Sequence, residues 1–318
     1  MSSGIPREMR AAVIDRFGGP EELHVVKIPI PAVGPKEVLV KVDGAGVGAW
    51  DPWLREGGAS GQPFPIVLGS DGAGSVAAVG ESVKRFDVGS RVYGYAYNSP
   101  KGGFYAEYAV LPEDNLAIVP GNVGKDEACA LAVSGLTGLI GLEKLRLKED
   151  QTLIIVGASG GVGHVALQLA KLMGARVLGV ASGKDGVELV NKLGADAAVE
   201  RNDADLIAKV KDFAPEGVDA ILAFAYSKNL DGAFKRVKRT GRIAFPNGVE
   251  PEPPGANGVQ AASYDGLPGK PIYQRLNDLI AKGEFRVEVS KSYPLEDAAQ
   301  AHHDILKHHV GKLVLRTR

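Results

Sequence analysis

From about residue 10 to 120 the apolar positions come in short β-branched runs. "EELHVVKIPIP", "EVLVKVDGAGV", "GAGSVAAVG" and "RVYGYAY" are each bounded by Gly, Pro or Asp, with turn-like "GPEEL", "VGPKE" and "DVGSR" between them. The pattern predicts a β-rich segment. Near residue 123 the period changes, and "GKDEACALAVSGLTGLIGLEKL" places its apolar residues at helical spacing. Strand and helix patterns then alternate. Strands are expected over 152–157, 176–181, 196–199, 218–224 and 241–246, and helices over 162–173, 185–193, 203–213 and 229–238. Alternation at this spacing predicts a parallel sheet with helices on both faces. Residues 247–270 are rich in Pro and Gly, with one short strand expected at 259–264. The tail reads as a helix over 271–282, the run "RVEVSKSYPL", a helix over 295–307 and a last strand "KLVLRT".

At 318 residues the chain exceeds the usual single-core size, so two domains are expected. Hydrophobic content of 45% and charged content of 24% are those of a soluble globular protein. A formal net charge of −1 argues against a large nucleic-acid surface. No apolar run reaches membrane-spanning length, and "MSSGIPREMRAAV" lacks the apolar core of a signal peptide. One cysteine, Cys129, sits in an apolar helical pattern. It excludes an intrachain disulfide framework and a cysteine zinc cluster, and a reducing cytoplasm is the expected location.

The most informative stretch is "TLIIVGASGGVGHVALQLAKLMGA". An apolar strand runs into a glycine-rich turn, and a helix follows. Residues 158–163, "ASGGVG", fit the dinucleotide pattern G-x-G-x-x-G with Ala158 in the first glycine place. Gly160 would let the backbone approach a pyrophosphate, and Gly163 would let the helix pack closely on the strand. Free N–H groups of Gly161 and Val162 at the helix start would face the phosphates, and Ser159 could add a hydroxyl. The bare alternative is a tight turn in an α/β protein.

An NAD site calls for an Asp or Glu at the tip of the second strand, to accept from the ribose 2′-OH. Here "ARVLGVAS" ends at Ser182, followed by Gly183 and Lys184. Ser182, Lys184 and Arg201 instead suit a 2′-phosphate, which points to NADPH. Asp185 is the rival ribose ligand, or a first-turn acid of the next helix.

These segments together resemble a zinc-independent medium-chain dehydrogenase/reductase of the quinone oxidoreductase (zeta-crystallin-like) family. The likeness covers nearly the whole chain, through "MRAAVIDRFGGPEELHVVKIPIPAVGPKEVLVKVDGAGV", "PFPIVLGSDGAGSVAAVGESVKRFDVGSRVYG", "GGFYAEYAVLPEDNLAIVP", "ALAVSGLTG", "GASGGVGHVALQLAK", "KLGADAAV" and "YPLEDAAQAH…GKLVLRTR". It implies an α/β fold: a GroES-like β-rich catalytic domain from residues 1–122 and 265–318, with a Rossmann NADPH-binding domain over 123–264 inserted between. Thr137, Phe224, Asn247 and Lys312 complete the expected cofactor set. Zinc-dependent relatives carry a Cys where Gly48 stands, a His-Glu pair where Ser70 and Asp71 stand, and a third ligand near Val133. Their four-cysteine loop has no counterpart, so no metal is expected. Quinone reductases usually carry Asn at Gly48, an acid at Asp51, and often Tyr at Trp53. Asp51 and Trp53 are therefore candidate catalytic residues, Trp53 with an indole N–H as its one donor.

Tyr97 and Tyr105, among the alternating aromatics of "YGYAYNSPKGGFYAEY", are candidate proton donors. His302, His303, His308 and His309 lack metal-clamp spacing across the two pairs and read as surface or packing residues. The expected function is NADPH-dependent reduction of a quinone, enone or small carbonyl by hydride transfer. The alternatives are reduction of acyl thioesters or 2-alkenals, or NADPH binding without turnover, as in a crystallin. A homodimer through the strand "VQAASY" is implied by the resemblance.

Overall fold

A computed structural model describes residues 4–58, 63–97 and 99–317. Its contacts divide the chain into two compact units. One comprises the residues up to Val133, then Pro268–Asn277, then those from Val289 onward; the other comprises Ser134–Leu267 and Asp278–Glu288. The first unit opens with β1 (Glu8–Ile14), β2 (His24–Pro29), β3 (Glu37–Val47), β4 (Ile66–Val67), β5 (Asp71–Val79), β6 (Arg91–Tyr95), β7 (Tyr108–Pro112) and β8 (Leu116–Ile118). The second holds β9 (Thr152–Val156), β10 (Arg176–Ala181), β11 (Ala197–Glu200), β12 (Val218–Ala223), β13 (Val237–Pro246) and β14 (Ala261–Tyr264). The chain returns to the first unit with β15 (Val289–Pro294) and β16 (Lys312–Arg316).

In the first unit β3 organises the larger sheet, whose order is β15-β16-β3-β5-β6-β8, with β7 also on β3. Residues 44–47 of β3 pair antiparallel with β16, Val47 facing Leu313 and Gly44 facing Arg316. A second, three-stranded sheet runs β2-β1-β4. Buried Ile14, Val38, Val40, Phe104, Leu111 and Leu315 join both sheets in one core. The unit extends to Val133. A Cβ on Gly46 would lie 3.0 Å from the Ala130 Cα and the Cys129 carbonyl, so glycine lets that segment rest closely on the sheet.

The second unit is a parallel sheet in the order β11-β10-β9-β12-β13-β14. Its central strand β9 is wholly buried, as the unbroken apolar run "TLIIV" requires of a strand covered on both faces. The helix expected over 229–238 is much shorter, Asp231–Phe234, and β13 already begins at Val237. Val237 pairs with Val218, so the sheet takes residues whose apolar spacing also suits a helix. No helix among the described residues is long and apolar enough to cross a membrane.

Candidate active site

In the second unit the turn after β9 has the shape that a dinucleotide needs. Gly157, one residue ahead of Ala158, takes the left-handed conformation at φ +77°. Ala158 is buried and Gly160 half-buried. A Cβ on Gly163 would lie 2.0 Å from the Gly157 carbonyl oxygen, so the helix Gly163–Leu172 can sit this close only with glycine there. A Cβ on Gly160 would meet only that same oxygen, at 3.4 Å, leaving open space above the loop. The two glycines thus differ: Gly163 packs on the turn, while Gly160 leaves room that would fit a pyrophosphate.

His164, which the sequence reading passed over, braces this loop. Its buried ring pairs Nδ1 with the Gly160 carbonyl at 2.8 Å and accepts the Glu288 N–H on Nε2 at 3.0 Å. A histidine four residues beyond the middle glycine was the available signal. Ser159 is buried, and its hydroxyl accepts from the Ser182 N–H at 3.5 Å. Phe224 follows β12 and flanks the turn, its Cβ 3.4 Å from where a Gly157 Cβ would be. Thr137 accepts the Tyr264 hydroxyl on its carbonyl at 3.0 Å, and Asn247 is exposed past β13, with its amide on Asp265.

At the tip of β10, Ser182 starts the helix Gly183–Lys192, and Lys184, Asp185 and Arg201 are exposed. The acid missing from β10 arrives from its neighbour. Glu200, at the end of β11, accepts the Asn202 N–H at 2.6 Å and the Gly183 N–H at 3.4 Å. Sequence reading missed it because it belongs to the next strand, which the register places opposite Ala181.

The first unit holds a buried cluster of charge. Asp51, on the short helix Trp50–Trp53, is 1% exposed. Its Oδ2 accepts from the Gly48 N–H (2.9 Å) and the Tyr105 hydroxyl (3.1 Å), and its Oδ1 accepts from the Ser70 hydroxyl (3.2 Å) and N–H (3.3 Å). Tyr105 also meets His302 Nε2 at 3.1 Å, and His302 Nδ1 meets the Arg55 guanidinium at 2.8 Å. One proton arrangement satisfies the chain. Arg55 donates to Nδ1, the Nε2–H donates to Tyr105, and Tyr105 donates to Asp51. Burial, then the charge of Arg55, lowers the His302 pKa to about 3, which keeps the ring neutral in this role.

Asp71 and Lys312 lie beside this chain, 2% and 5% exposed, with Nζ 3.5 Å from Oδ2. The Lys312 ammonium and the Val133 backbone N–H both act on Asp71, neither within strict hydrogen-bond geometry. Burial raises the Asp71 pKa to about 6 against the pull of Lys312. Burial likewise raises Asp51, opposed by the Gly48 N–H and the Lys312 charge.

Of the two candidate proton donors, Tyr105 belongs to this network. Tyr105 is buried with its one proton committed to Asp51, and burial and that carboxylate hold its pKa well above the usual range, so it positions Asp51. Tyr97 is 38% exposed, edge-on to Tyr95. Trp53 is 46% exposed and lies against Trp50 with ring centroids 4.3 Å apart. Nearby, Trp50, Leu54, Val67, Leu68, Ser70 and Ala96 line a small cavity of mixed polar and apolar surface. His302 is a buried packing histidine, and His303 and His308 are exposed.

Residues 34–121 match the alcohol dehydrogenase GroES-like domain, and residues 161–254 match the zinc-binding dehydrogenase domain. Mouse quinone oxidoreductase is 32% identical over 96% of this chain and 97% of its own. The chain belongs to the quinone oxidoreductase family of medium-chain dehydrogenases/reductases. As a member it is an oxidoreductase of a pyridine-nucleotide-dependent family. A solved NAD-dependent alcohol dehydrogenase is 31% identical, superposes with a TM-score of 0.86, and is covered over 98% of this chain and all of its own. A mycobacterial quinone oxidoreductase-like structure solved with NADPH is 29% identical, with a TM-score of 0.83 over 97% of this chain and 99% of its own.

The residues do not fit the zinc that the second domain's description names. Gly48 and Val133 offer no ligand atom, and the ammonium of Lys312 already neutralises Asp71. Among the described residues no three His, Cys, Asp or Glu side chains are grouped to hold a metal.

Proposed function

We propose that this oxidoreductase reduces quinones, enones or other small carbonyl compounds with NADPH and without zinc. The observation that carries the reading is the β9 loop, where Gly160 faces open space while Gly163 packs on Gly157. The nucleotide, when bound, supplies a hydride. The chain supplies the rest. The phosphates rest on residues 158–163, with Gly161 and Val162 offering N–H groups and His164 fixing the Gly160 carbonyl. Lys184 and Arg201 meet a 2′-phosphate, which favours NADPH, while Glu200 opposes it. The acceptor would lie at the small cavity beside Ser70, against the side chains of Trp50, Leu54, Val67 and Leu68. Zinc independence is supported by Gly48, Ser70 and Val133 at the ligand positions. A homodimer through β14 is supported by its place at the edge of the sheet, with Ser263 exposed.

The test is NADPH and NADH oxidation with a panel of quinones, enones and aldehydes. Turnover with none of them, by protein that binds nucleotide, rejects the reading.

A further inference from the structure

The loop after β9 contains one peptide plane that its own residues leave free to turn. Gly160 and Gly161 flank it, and neither has a side chain. Glycine takes either sign of φ at little cost, so this plane can flip end over end. Which way it faces matters. In a trans peptide the C=O and the following N–H point in opposite directions. One face of the Gly160–Gly161 peptide therefore offers a donor to a phosphate, and the other face offers an oxygen that repels it.

The carbonyl is held on the inner side. The Gly160 oxygen accepts from the His164 backbone N–H at 3.1 Å and meets His164 Nδ1 at 2.8 Å. The Gly161 N–H thus faces away from the ring, and among the described residues it has no acceptor. The ring's role at Gly160 is fixed from its other end. Its Nε2 accepts the Glu288 N–H at 3.0 Å, so the proton of the neutral ring sits on Nδ1 and is donated to Gly160. Glu288 is itself held in place. Two residues earlier, Arg286 gives its N–H to Gln168 Oε1 at 2.9 Å and accepts from Gln168 Nε2 on its carbonyl at 2.8 Å. His164 and Gln168 lie one turn apart on the helix Gly163–Leu172, and both are buried, so water competes little for these bonds.

We propose that His164 is a positioning residue for nucleotide binding: it keeps the Gly161 N–H aimed at the pyrophosphate, in a tautomer that the Glu288 backbone selects. The proposal rests on the reading that residues 158–163 carry the nucleotide's phosphates. His164 does not touch the nucleotide. It holds a carbonyl that would oppose the phosphate if the peptide turned over. Residues 286–288, far along the chain, take part in binding in the same indirect way.

Two variants separate this role from packing. Asn places an amide nitrogen near the Nδ1 position and falls short of Glu288. Gln reaches Glu288 with its amide oxygen and leaves Gly160 without its side-chain donor. Each forfeits one of the two ring bonds, so the urea unfolding midpoints of His164→Asn and His164→Gln should fall together. Nucleotide affinity should divide them. The full-length protein is titrated calorimetrically with NADPH, NADH and ADP-ribose, all of which carry the pyrophosphate. His164→Gln should raise all three dissociation constants about ten- to a hundredfold, and His164→Asn should stay within about threefold of wild type. Wild type supplies a check that needs no variant: the Gly161 amide proton should move downfield in NMR when ADP-ribose binds, as a charged acceptor draws on it. The proposal is overturned by equal losses in the two variants, by no loss in His164→Gln, by a loss confined to NADPH, by an unmoved Gly161 signal, or by wild type that binds none of the three. If the split in affinity holds while no quinone, enone or aldehyde is turned over, the positioning role stands and the reductase reading falls.

Discussion

Cofactor choice comes down to a few side chains at the tips of β10 and β11. Arg201 and Lys184 favour a 2′-phosphate, and Glu200 holds the Gly183 N–H that such a phosphate would seek. Glu200→Gln removes the opposing charge and is expected to tighten NADPH about tenfold, with NADH nearly unchanged, in parallel fluorescence titrations. Arg201→Ala should weaken NADPH about ten- to a hundredfold by losing a charge-assisted contact worth roughly 1.5–3 kcal/mol. Equal effects on both nucleotides would place Arg201 and Glu200 outside the ribose site. In the glycine loop, Gly163→Ala drives a Cβ to 2.0 Å from the Gly157 oxygen and should cost about 1–3 kcal/mol of stability in denaturant unfolding. Gly160→Val should do the reverse, losing nucleotide affinity with little loss of stability. The glycine pattern made this contrast legible in the sequence. Glu200 was not legible, because which strand tips stand side by side is a property of the sheet.

Among the elements, those with strong periodicity appear where the pattern puts them. The strand expected over 176–181 is Arg176–Ala181, and the helix expected over 162–173 is Gly163–Leu172. The stretch 229–238 misleads because "NLDGAFKRVK" spaces its apolar residues for a helix, while Val237 is taken by Val218 across the sheet. The helical pattern of residues 124–145 breaks similarly, into Lys125–Ala128 and Ala132–Lys144, where the chain passes over Gly46. The short strand expected over 259–264 is Ala261–Tyr264, at an edge of the sheet. Lysine on an exposed edge strand blocks strand-to-strand pairing. Ser263→Lys should therefore break the proposed homodimer in sedimentation velocity. An unchanged sedimentation coefficient would remove β14 from the interface.

For the molecule as a whole, the buried charges set the response to pH. His302 is neutral in the fold, with a pKa lowered to about 3, but takes up a proton near pH 6.5 once unfolded. Its contribution to stability is complete above about pH 6.5 and is lost as pH falls towards 3, by about 1.4 kcal/mol per unit. Asp71 acts in the opposite sense. Its folded pKa of about 6 lies above the ordinary 3.8, so its contribution is present at low pH and lost as pH rises through 6. Nitrogen NMR across pH 5–8 should find the His302 ring fixed as the neutral Nε2–H form. A protonated ring at pH 6 would break the assigned chain of donors. Activity should also survive exhaustive chelation, and one tightly held zinc per chain in elemental analysis would contradict that. The sequence displayed Asp51 and the absent zinc ligands. It could not display that residues 18, 48, 55, 70, 105 and 302 converge on one carboxylate network, since their spacing along the chain carries no period.

The pairing of β16 with residues 44–47 of β3 has a consequence for synthesis. A ribosome delivers the chain from its N-terminus, so β3 emerges long before its partner β16. Until residues 312–316 leave the exit tunnel, half of one edge of β3 offers unpaired N–H and C=O groups to any strand nearby. The insertion of a whole nucleotide-binding unit lengthens that interval by well over a hundred residues of translation. Lys312 arrives in the same closing segment. The nascent chain can therefore build its phosphate loop while still tethered, but acquires its buried ammonium only later. A chain stalled before residue 312 would combine a formed nucleotide fold with an open, adhesive sheet, the form that chaperones and proteases recognise.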